Sequence, residues 1–131
     1  MRIVLDTNVL VSGLLSPYGV SAKALSYIIT KEIEICFDMR IFGEYKSVLY
    51  RDKFKFNKKH INTLLNYIRE YGILLPGGYI EQEITFRDKN DLPFWEIAIE
   101  AKADYLITGN KKHYPRRKWI VSPDEFLRKL S

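Results

Sequence analysis

The chain has 131 residues, of which 47% are hydrophobic, so it is sized for one domain with a buried core, and an intrinsically disordered chain is excluded. Its 21 lysines and arginines outnumber its 16 aspartates and glutamates, which gives a net charge of +5. A basic balance suits an anionic partner such as nucleic acid, although it is equally typical of an ordinary solvated surface.

The cysteine and histidine content excludes an internal disulfide and a zinc site. The single cysteine, Cys36, cannot close an internal disulfide, and its apolar neighbours predict a buried thiol. His60 and His113 lack the spacing of zinc ligands, and we interpret both as surface or structural residues. No apolar stretch approaches the roughly 20 residues of a membrane helix, and Asp6 interrupts the apolar start of the chain. We therefore expect a cytoplasmic protein with no membrane segment.

The predicted elements alternate between short apolar strands and amphipathic helices. In chain order they are a strand over 3–5, a helix over 21–31, a strand over 32–37, a helix over 38–50, a helix over 57–71, a strand over 73–75, a helix over 92–103, and strands over 105–107 and 119–121. Asn57 caps the third helix at its start, and Gly72 ends it. Ser122 and Glu125 have the spacing of a capping box, which predicts a last helix.

This alternation indicates an α/β fold, in which helices flank a parallel central sheet, and no linker or repeat divides the chain. We therefore predict a single domain over residues 1–131. Functional sites in open parallel sheets lie beyond the carboxyl ends of the strands, so that edge is where chemistry is expected.

Three acids and one amide are predicted to converge at this edge. Asp6 directly follows the first strand, and Asn110 closely follows the strand over 105–107. Glu44 lies at the border of the apolar face of the second helix, and Asp91 begins the fourth helix. Clustered carboxylates raise one another's pKa, and a hard divalent cation such as Mg²⁺ or Mn²⁺ relieves that repulsion.

Each acid also has a structural interpretation. Asp91 suits the N-cap position of its helix, Glu44 would be solvated at the edge of its apolar face, and Asp6 would cap its own turn. Two further acids are relevant to this site. Asp104 precedes its strand, at the opposite edge of the sheet, which indicates a structural role, whereas Asp88 lies in a turn and its role stays open.

Three segments resemble the sequence blocks of the PIN-domain nucleases. They are residues 3–10, which contain Asp6, residues 42–49, which contain Glu44, and residues 91–94 with 103–110, which contain Asp91 and Asn110. No single block is decisive, but the three occur in the family's order and span nearly the whole chain. The likeness is greatest to the branch assigned as toxins of toxin–antitoxin modules.

The resemblance implies a three-layer α/β/α domain that hydrolyses RNA phosphodiester bonds. It implies Asp6, Glu44 and Asp91 as catalytic residues that hold Mg²⁺ or Mn²⁺, with the ion lowering the pKa of a bound water and neutralising phosphate charge. It further implies a homodimer and, for a toxin, a small protein antitoxin that blocks the site.

The chain departs from the family at one position. Where a fourth acid often follows the Thr-Gly pair, this sequence has Asn110, which leaves a second metal position and catalytic strength open. We expect the amide of Asn110 among the metal ligands. Thr7, Asn8 and Thr108 are expected to support the ligands or contact phosphate.

Two clusters of basic residues are candidates for holding RNA. The cluster over 51–59 interleaves cations with Phe54 and Phe56, as in a surface that binds phosphates and stacks bases, or as in a solvated loop whose rings point inward. The cluster over 111–118 follows Asn110 directly, which makes Lys111, Lys112 and Arg116 the better candidates. Solvation alone explains this second cluster equally well.

Two other functional classes stay open from the sequence. One is a catalytically weak or inactive RNA-binding module of the same fold, in which Asn110 marks the loss of activity. The other is a phosphoacceptor signalling domain, which places an acceptor aspartate at the end of a middle strand, a position that Asp38 would have to fill here.

Overall fold

A parallel sheet forms the centre of the protein. The computed structural model describes residues 1–78, 86 and 88–130. Its strands are β1 (Arg2–Leu5), β2 (Glu34–Phe37), β3 (Ile73–Leu74), β4 (Tyr105–Ile107) and β5 (Ile120–Val121). They pair in parallel in the order β3-β2-β1-β4-β5. The central strand is buried on both faces, since Ile3, Val4 and Leu5 have no exposed surface, as parallel sheets require.

Two groups of helices flank the sheet. The helices are α1 (Thr7–Leu15), α2 (Val20–Thr30), α3 (Met39–Leu49), α4 (Lys58–Tyr71), α5 (Leu92–Glu100) and α6 (Pro123–Leu130). Helices α1, α2 and α6 pack together, and α6 covers β4 and β5. Helices α3, α4 and α5 form the second group, with α5 lying over β1, β2 and β4. The predicted α/β/α architecture is confirmed. None of the helices within the described residues is long and apolar enough to cross a membrane.

The helix boundaries follow the sequence signals closely. The side chain of Asn57 accepts a hydrogen bond from the backbone N–H of Lys59 at 2.8 Å, which begins α4. Gly72 ends α4, where a Cβ would collide with the carbonyl oxygen of Ile68. The predicted capping box is present: the N–H of Ser122 donates to Glu125 at 3.0 Å, and the N–H of Glu125 donates back to the Ser122 hydroxyl at 3.1 Å.

Helix α1 is not predicted by the sequence pattern. Its segment Thr7–Leu15 contains no charged residue, so it lacks the polar face on which helical periodicity depends. The structure explains this composition, because α1 packs against both α2 and α3. Several predicted elements are also one to three residues shorter than expected, and a backbone conformation explains two of these cases. Strand β2 begins at Glu34 because Glu32 has a left-handed backbone (φ 55°), and α5 ends before Lys102, which has φ 53°.

Two predictions for residues far from the acidic cluster, Cys36 and Asp104, are confirmed. Cys36 is a buried free thiol. Asp104 lies at the amino-terminal edge of the sheet, where its carboxylate accepts the backbone N–H of Arg2 at 2.9 Å, so it has a structural role.

The strand order creates a crevice beside the central strand. From β1 the chain moves outward through β2 and β3, then returns to the other side of β1 for β4 and β5. The connections that follow β1 and β4 therefore run to opposite sides of this pair of strands, and open α/β sheets bind ligands in the crevice at such a point. Leu5 pairs with Ile107 at this point, and the N–H of Asp6 donates to the Ile107 carbonyl at 2.9 Å.

Candidate active site

Asp6 lies at the carboxyl ends of the paired strands β1 and β4, and its side chain is nearly buried, with the residue 6% exposed. Three side chains donate to the same carboxylate oxygen, Oδ2: the hydroxyl of Thr108 at 2.8 Å, the phenol of Tyr114 at 3.0 Å and the amide of Asn8 at 3.4 Å. Burial raises the pKa of Asp6, and the hydrogen bonds from Thr108 and Tyr114 oppose that rise. The carboxylate is thus fixed in orientation before any ligand arrives.

Glu44 reaches the same crevice from α3. Its Oε2 accepts a hydrogen bond from the hydroxyl of Thr7, the first residue of α1 and the neighbour of Asp6. Burial raises the pKa of Glu44, the Thr7 hydrogen bond opposes this, and the charge of Asp6 raises the pKa further. The position of Glu44 at the border of a buried helix face, predicted from its spacing, therefore brings it to the first acid.

Asp91 ends the short 3₁₀ turn Lys89–Asp91 and precedes α5 without capping it, since its side chain makes no hydrogen bond to that helix. Its Oδ2 is buried and has no hydrogen-bond partner in the described part of the chain. Nδ1 of His113 lies 3.3 Å from this oxygen. Burial raises the pKa of Asp91 to about 6, and the charges of Asp6 and Asp88 contribute. This environment does not fit the interpretation of Asp91 as a helix cap alone.

Backbone N–H groups of the loop after β4 donate to the side chains of Thr108 and Asn8, which in turn donate to Asp6. The N–H of Asn110 donates to the Thr108 hydroxyl at 3.0 Å, and the N–H of Gly109 donates to the amide oxygen of Asn8 at 2.8 Å. The Asn110 amide nitrogen lies 3.0 Å from Nε2 of His113, whose other ring nitrogen faces the third acid. Asn110 therefore contacts the acidic cluster through a histidine.

The structure thus brings the predicted acids and their supporting residues into one region. Two residues that were not predicted to belong to this region, His113 and Tyr114, also lie there. His113 was interpreted as a surface or structural residue, and Tyr114 was not considered. The one sequence feature that could have pointed to them is that they lie three and four positions after Asn110. Asp88, whose role the sequence left open, raises the pKa of both Glu44 and Asp91 by its charge.

The donor chemistry of this region fits a hard divalent cation. Burial and mutual repulsion disfavour the ionised forms of Asp6, Glu44 and Asp91, and one buried oxygen of Asp91 has no hydrogen bond among the described residues. A cation would stabilise these ionised carboxylates. Within residues 1–78, 86 and 88–130, however, no three Asp, Glu, His or Cys side chains are already placed to hold a metal ion. The fit is therefore one of chemistry and not of preformed geometry.

A basic cleft adjoins the acids. It has a volume of about 580 Å³ and is lined by Lys111, Lys112, Tyr114, Pro115, Arg116, Arg117, Lys118 and Ile120. The three cations predicted to hold RNA, Lys111, Lys112 and Arg116, all line it. Tyr114 belongs to both regions, since it lines the cleft and its hydroxyl donates to Asp6.

The other basic cluster, over 51–59, is arranged differently. The rings of Phe54 and Phe56 stack on each other with centroids 5.1 Å apart, and the ammonium of Lys53 lies over Phe54. One stacking face of each ring is thus already used. The adjoining cavity has a volume of only about 160 Å³. This favours the interpretation of the segment as a packed loop.

Asp38 is not placed to accept a phosphoryl group. It is 2% exposed, its Oδ1 accepts the N–H of Ile41 at 2.9 Å, and its Oδ2 accepts from the Arg40 guanidinium at 2.7 Å. Arg40 in turn pairs with the buried Glu96 at 2.8 Å. Asp38 therefore caps α3 and holds a buried ion-pair network, which argues against the signalling-domain hypothesis.

Comparison with known proteins agrees with the fold. A family model for the PIN domain matches residues 2–112, which contain all three acids and Asn110. The chain is also 28% identical over 114 residues to an uncharacterized protein, MJ1680, of Methanocaldococcus jannaschii. That match covers 85% of this chain and 72% of the relative.

Proposed function

Because this chain belongs to the PIN-domain family, we propose that it is a metal-dependent endoribonuclease that hydrolyses phosphodiester bonds in RNA. PIN domains are generally nucleases, and the family generally uses divalent metal ions. What we propose beyond these family properties is that the substrate is RNA and that the ion is Mg²⁺ or Mn²⁺.

One observation carries this proposal: three carboxylates with raised pKa lie together near the carboxyl ends of β1 and β4, next to a cleft lined by cations. Asp6 raises the pKa of both Glu44 and Asp91, so the three interact electrostatically although they are far apart in sequence. Acids alone would repel RNA, and cations alone would bind it without chemistry. Their combination suits a nuclease that holds phosphates and hydrolyses one of them.

In this proposal Asp6, Glu44 and Asp91 are the catalytic residues and hold the ion, with the amide oxygen of Asn110 as a further ligand. The bound Mg²⁺ or Mn²⁺ supplies activation of water and neutralises charge on the phosphate. The other residues prepare the ligands. Thr108 orients Asp6, as its hydrogen bond to Oδ2 suggests.

Supporting residues complete the proposed site. Thr7 holds Glu44 through its hydroxyl, and Asn8 ties the loop after β4 to Asp6. The cations Lys111, Lys112 and Arg116 bind the phosphates of the RNA strand.

The test is cleavage of a fluorescent single-stranded RNA by protein freed of contaminating ribonuclease, with Mn²⁺, with Mg²⁺ and with EDTA. We expect cleavage that requires a metal ion and is lost in Asp6→Asn. Asp52→Asn, which makes the same chemical change on an exposed carboxylate, is the matched control. Cleavage in EDTA, or wild-type rates in Asp6→Asn, would contradict the proposal.

A second candidate function is RNA binding with little or no catalysis. Two observations favour it: the position of the family's fourth acid holds Asn110, whose amide nitrogen contacts His113, and no three ligands within the described residues are already placed around an ion. The same experiment separates the two. Metal-independent RNA binding without cleavage by the wild-type protein would support this alternative.

The biological setting is also a proposal. The sequence resemblance suggests the toxin of a toxin–antitoxin module that acts in the cytoplasm as a homodimer and is blocked by a small protein antitoxin. A small gene that overlaps the upstream end of this one would support it. Expression of wild-type protein should then arrest growth while Asp6→Asn should not, and co-expression of the neighbouring gene should relieve the arrest. Light scattering would measure the oligomer.

A further inference from the structure

The basic cleft is more than a charged surface, because five cations line one cavity. Lys112, Arg116 and Lys118 are exposed and make no ion pair with a carboxylate in the described part of the chain. Lys111 differs, since its ammonium lies 2.8 Å from Glu125. Arg117 lies over the ring of Trp95, 5.4 Å from its centroid.

Unneutralised like charges around one cavity repel one another, and a bound anion removes that cost. The volume of about 580 Å³ lies within the range of pockets that take small ligands. Its remaining walls are Tyr114, Pro115 and Ile120, which offer apolar surface. A ligand with negative charge on one part and a flat apolar body on another matches this lining, and a nucleotide has that composition.

The lining also limits how such a nucleotide can be recognised. Among the described residues, those that line the cleft include no Asn, Gln, Ser, Thr, Asp or Glu, which are the side chains that read adenine and cytosine edges. The hydroxyl of Tyr114 is already bonded to Asp6. What the cleft offers is positive charge and apolar walls.

We propose that this cleft is a subsite for the nucleotide adjacent to the scissile phosphate, which it holds through phosphate groups with little dependence on the base. The inference rests on the proposed ribonuclease function, because the shared residue Tyr114 joins the cleft to Asp6. It assigns Arg117 and Lys118 to substrate binding in addition to the three cations predicted from the sequence. In this proposal the cleft binds the neighbouring nucleotide, whereas the acids carry out the hydrolysis.

The first experiment measures binding without cleavage. Wild type, Arg116→Ala/Lys118→Ala and the control Lys23→Ala/Lys129→Ala, which removes two exposed cations from α2 and α6, are titrated with a 12-nucleotide RNA in EDTA at several salt concentrations. We expect the cleft variant to bind roughly tenfold more weakly and its salt slope to fall by about 1.4, at about 0.7 per phosphate contact on a single strand. Circular dichroism verifies that each variant is folded. Equal losses in the cleft variant and the control would overturn the proposal, because they would show a general charge effect.

The second experiment locates the subsite with Mn²⁺ present. RNAs are lengthened one nucleotide at a time on each side of the cleavage position, and kcat/KM is measured. One added nucleotide should raise kcat/KM severalfold for wild type and the control, and that gain should be absent in Arg116→Ala/Lys118→Ala. Changing the base of this added nucleotide among A, C, G and U should change kcat/KM by less than about threefold. A preference for guanine above tenfold would overturn base independence, since Arg and Lys can read guanine edges.

The two experiments keep the failures distinguishable. If the protein cleaves no RNA but the EDTA titration behaves as expected, the ribonuclease proposal fails and the cleft stands as a nucleotide-binding site. If cleavage is metal-dependent but neither the binding loss nor the length effect is confined to the cleft variant, the subsite proposal fails and the ribonuclease proposal stands.

Discussion

Asparagine in place of Asp91 should stabilise the metal-free protein, even though it removes a residue proposed to be essential for activity. Burial and the charges of Asp6 and Asp88 raise the pKa of Asp91 from 3.8 to about 6. The side chain is only 13% exposed, so solvent screens this penalty weakly. A shift of this size corresponds to about 3 kcal/mol at neutral pH, as an upper bound. Because the substitution also removes the attraction to His113, we expect a net gain of about 1–2 kcal/mol.

The sign of the pH dependence follows from linkage. The native protein binds the proton of Asp91 more tightly than the unfolded chain does, so ionisation of Asp91 destabilises the fold fully above pH 6. As the pH falls through 6 toward 4, the carboxyl is protonated in the native state and the penalty disappears. The advantage of Asp91→Asn over wild type should therefore be greatest at pH 7.5 and shrink to roughly a third at pH 4.5.

The measurement is urea unfolding in EDTA at both pH values, with Asp52→Asn as the control for changing an exposed carboxylate. Mn²⁺ should then reverse the order at pH 7.5, because a ligand stabilises only the protein that binds it. A metal-free Asp91→Asn protein that is no more stable than wild type at pH 7.5 would refute the reasoning. So would a gain that is the same at both pH values, since it could not arise from ionisation of Asp91.

Three further predictions concern the same site. Asp6→Asn should lose nearly all metal-dependent cleavage while circular dichroism shows an intact fold; wild-type rates would reject Asp6 as a ligand. Asn110→Asp should bind Mn²⁺ about five- to tenfold more tightly by calorimetry, a gain of roughly 1 kcal/mol, because a carboxylate adds charge that repulsion and desolvation only partly cancel. Unchanged affinity would place residue 110 outside the metal's ligands. Tyr114→Phe removes one of three side-chain donors to Asp6 and should weaken Mn²⁺ binding about three- to tenfold; an unaffected affinity would show that Tyr114 only fills space.

The positions of the acids could be predicted from the sequence because each depends on local pattern. Asp6 follows a buried strand, Glu44 borders a helical apolar stripe, and Asp91 precedes a helix with Pro93 in its first turn. Strand and helix periodicities are visible over a few residues, and the carboxyl ends of parallel strands share one edge. Helix α1 could not be predicted in the same way, because its segment has no charged residue and therefore no clear polar face whose period could be detected.

The tertiary structure decided which side chains meet at that edge. Tyr114 lies 108 positions from Asp6, and their hydrogen bond exists only because β4 pairs with β1 and the following loop turns back over the crevice. His113 contacts Asp91 and Asn110 for the same reason, and no local pattern distinguishes it from a surface histidine. Likewise, the sequence of the cations after Asn110 is equally consistent with a solvated surface and with an RNA-binding site. Only the fold shows that these cations line one cavity. Local propensity can be read from neighbouring residues, whereas the pKa of a carboxylate and the shape of a cleft depend on strand order and on burial by distant segments.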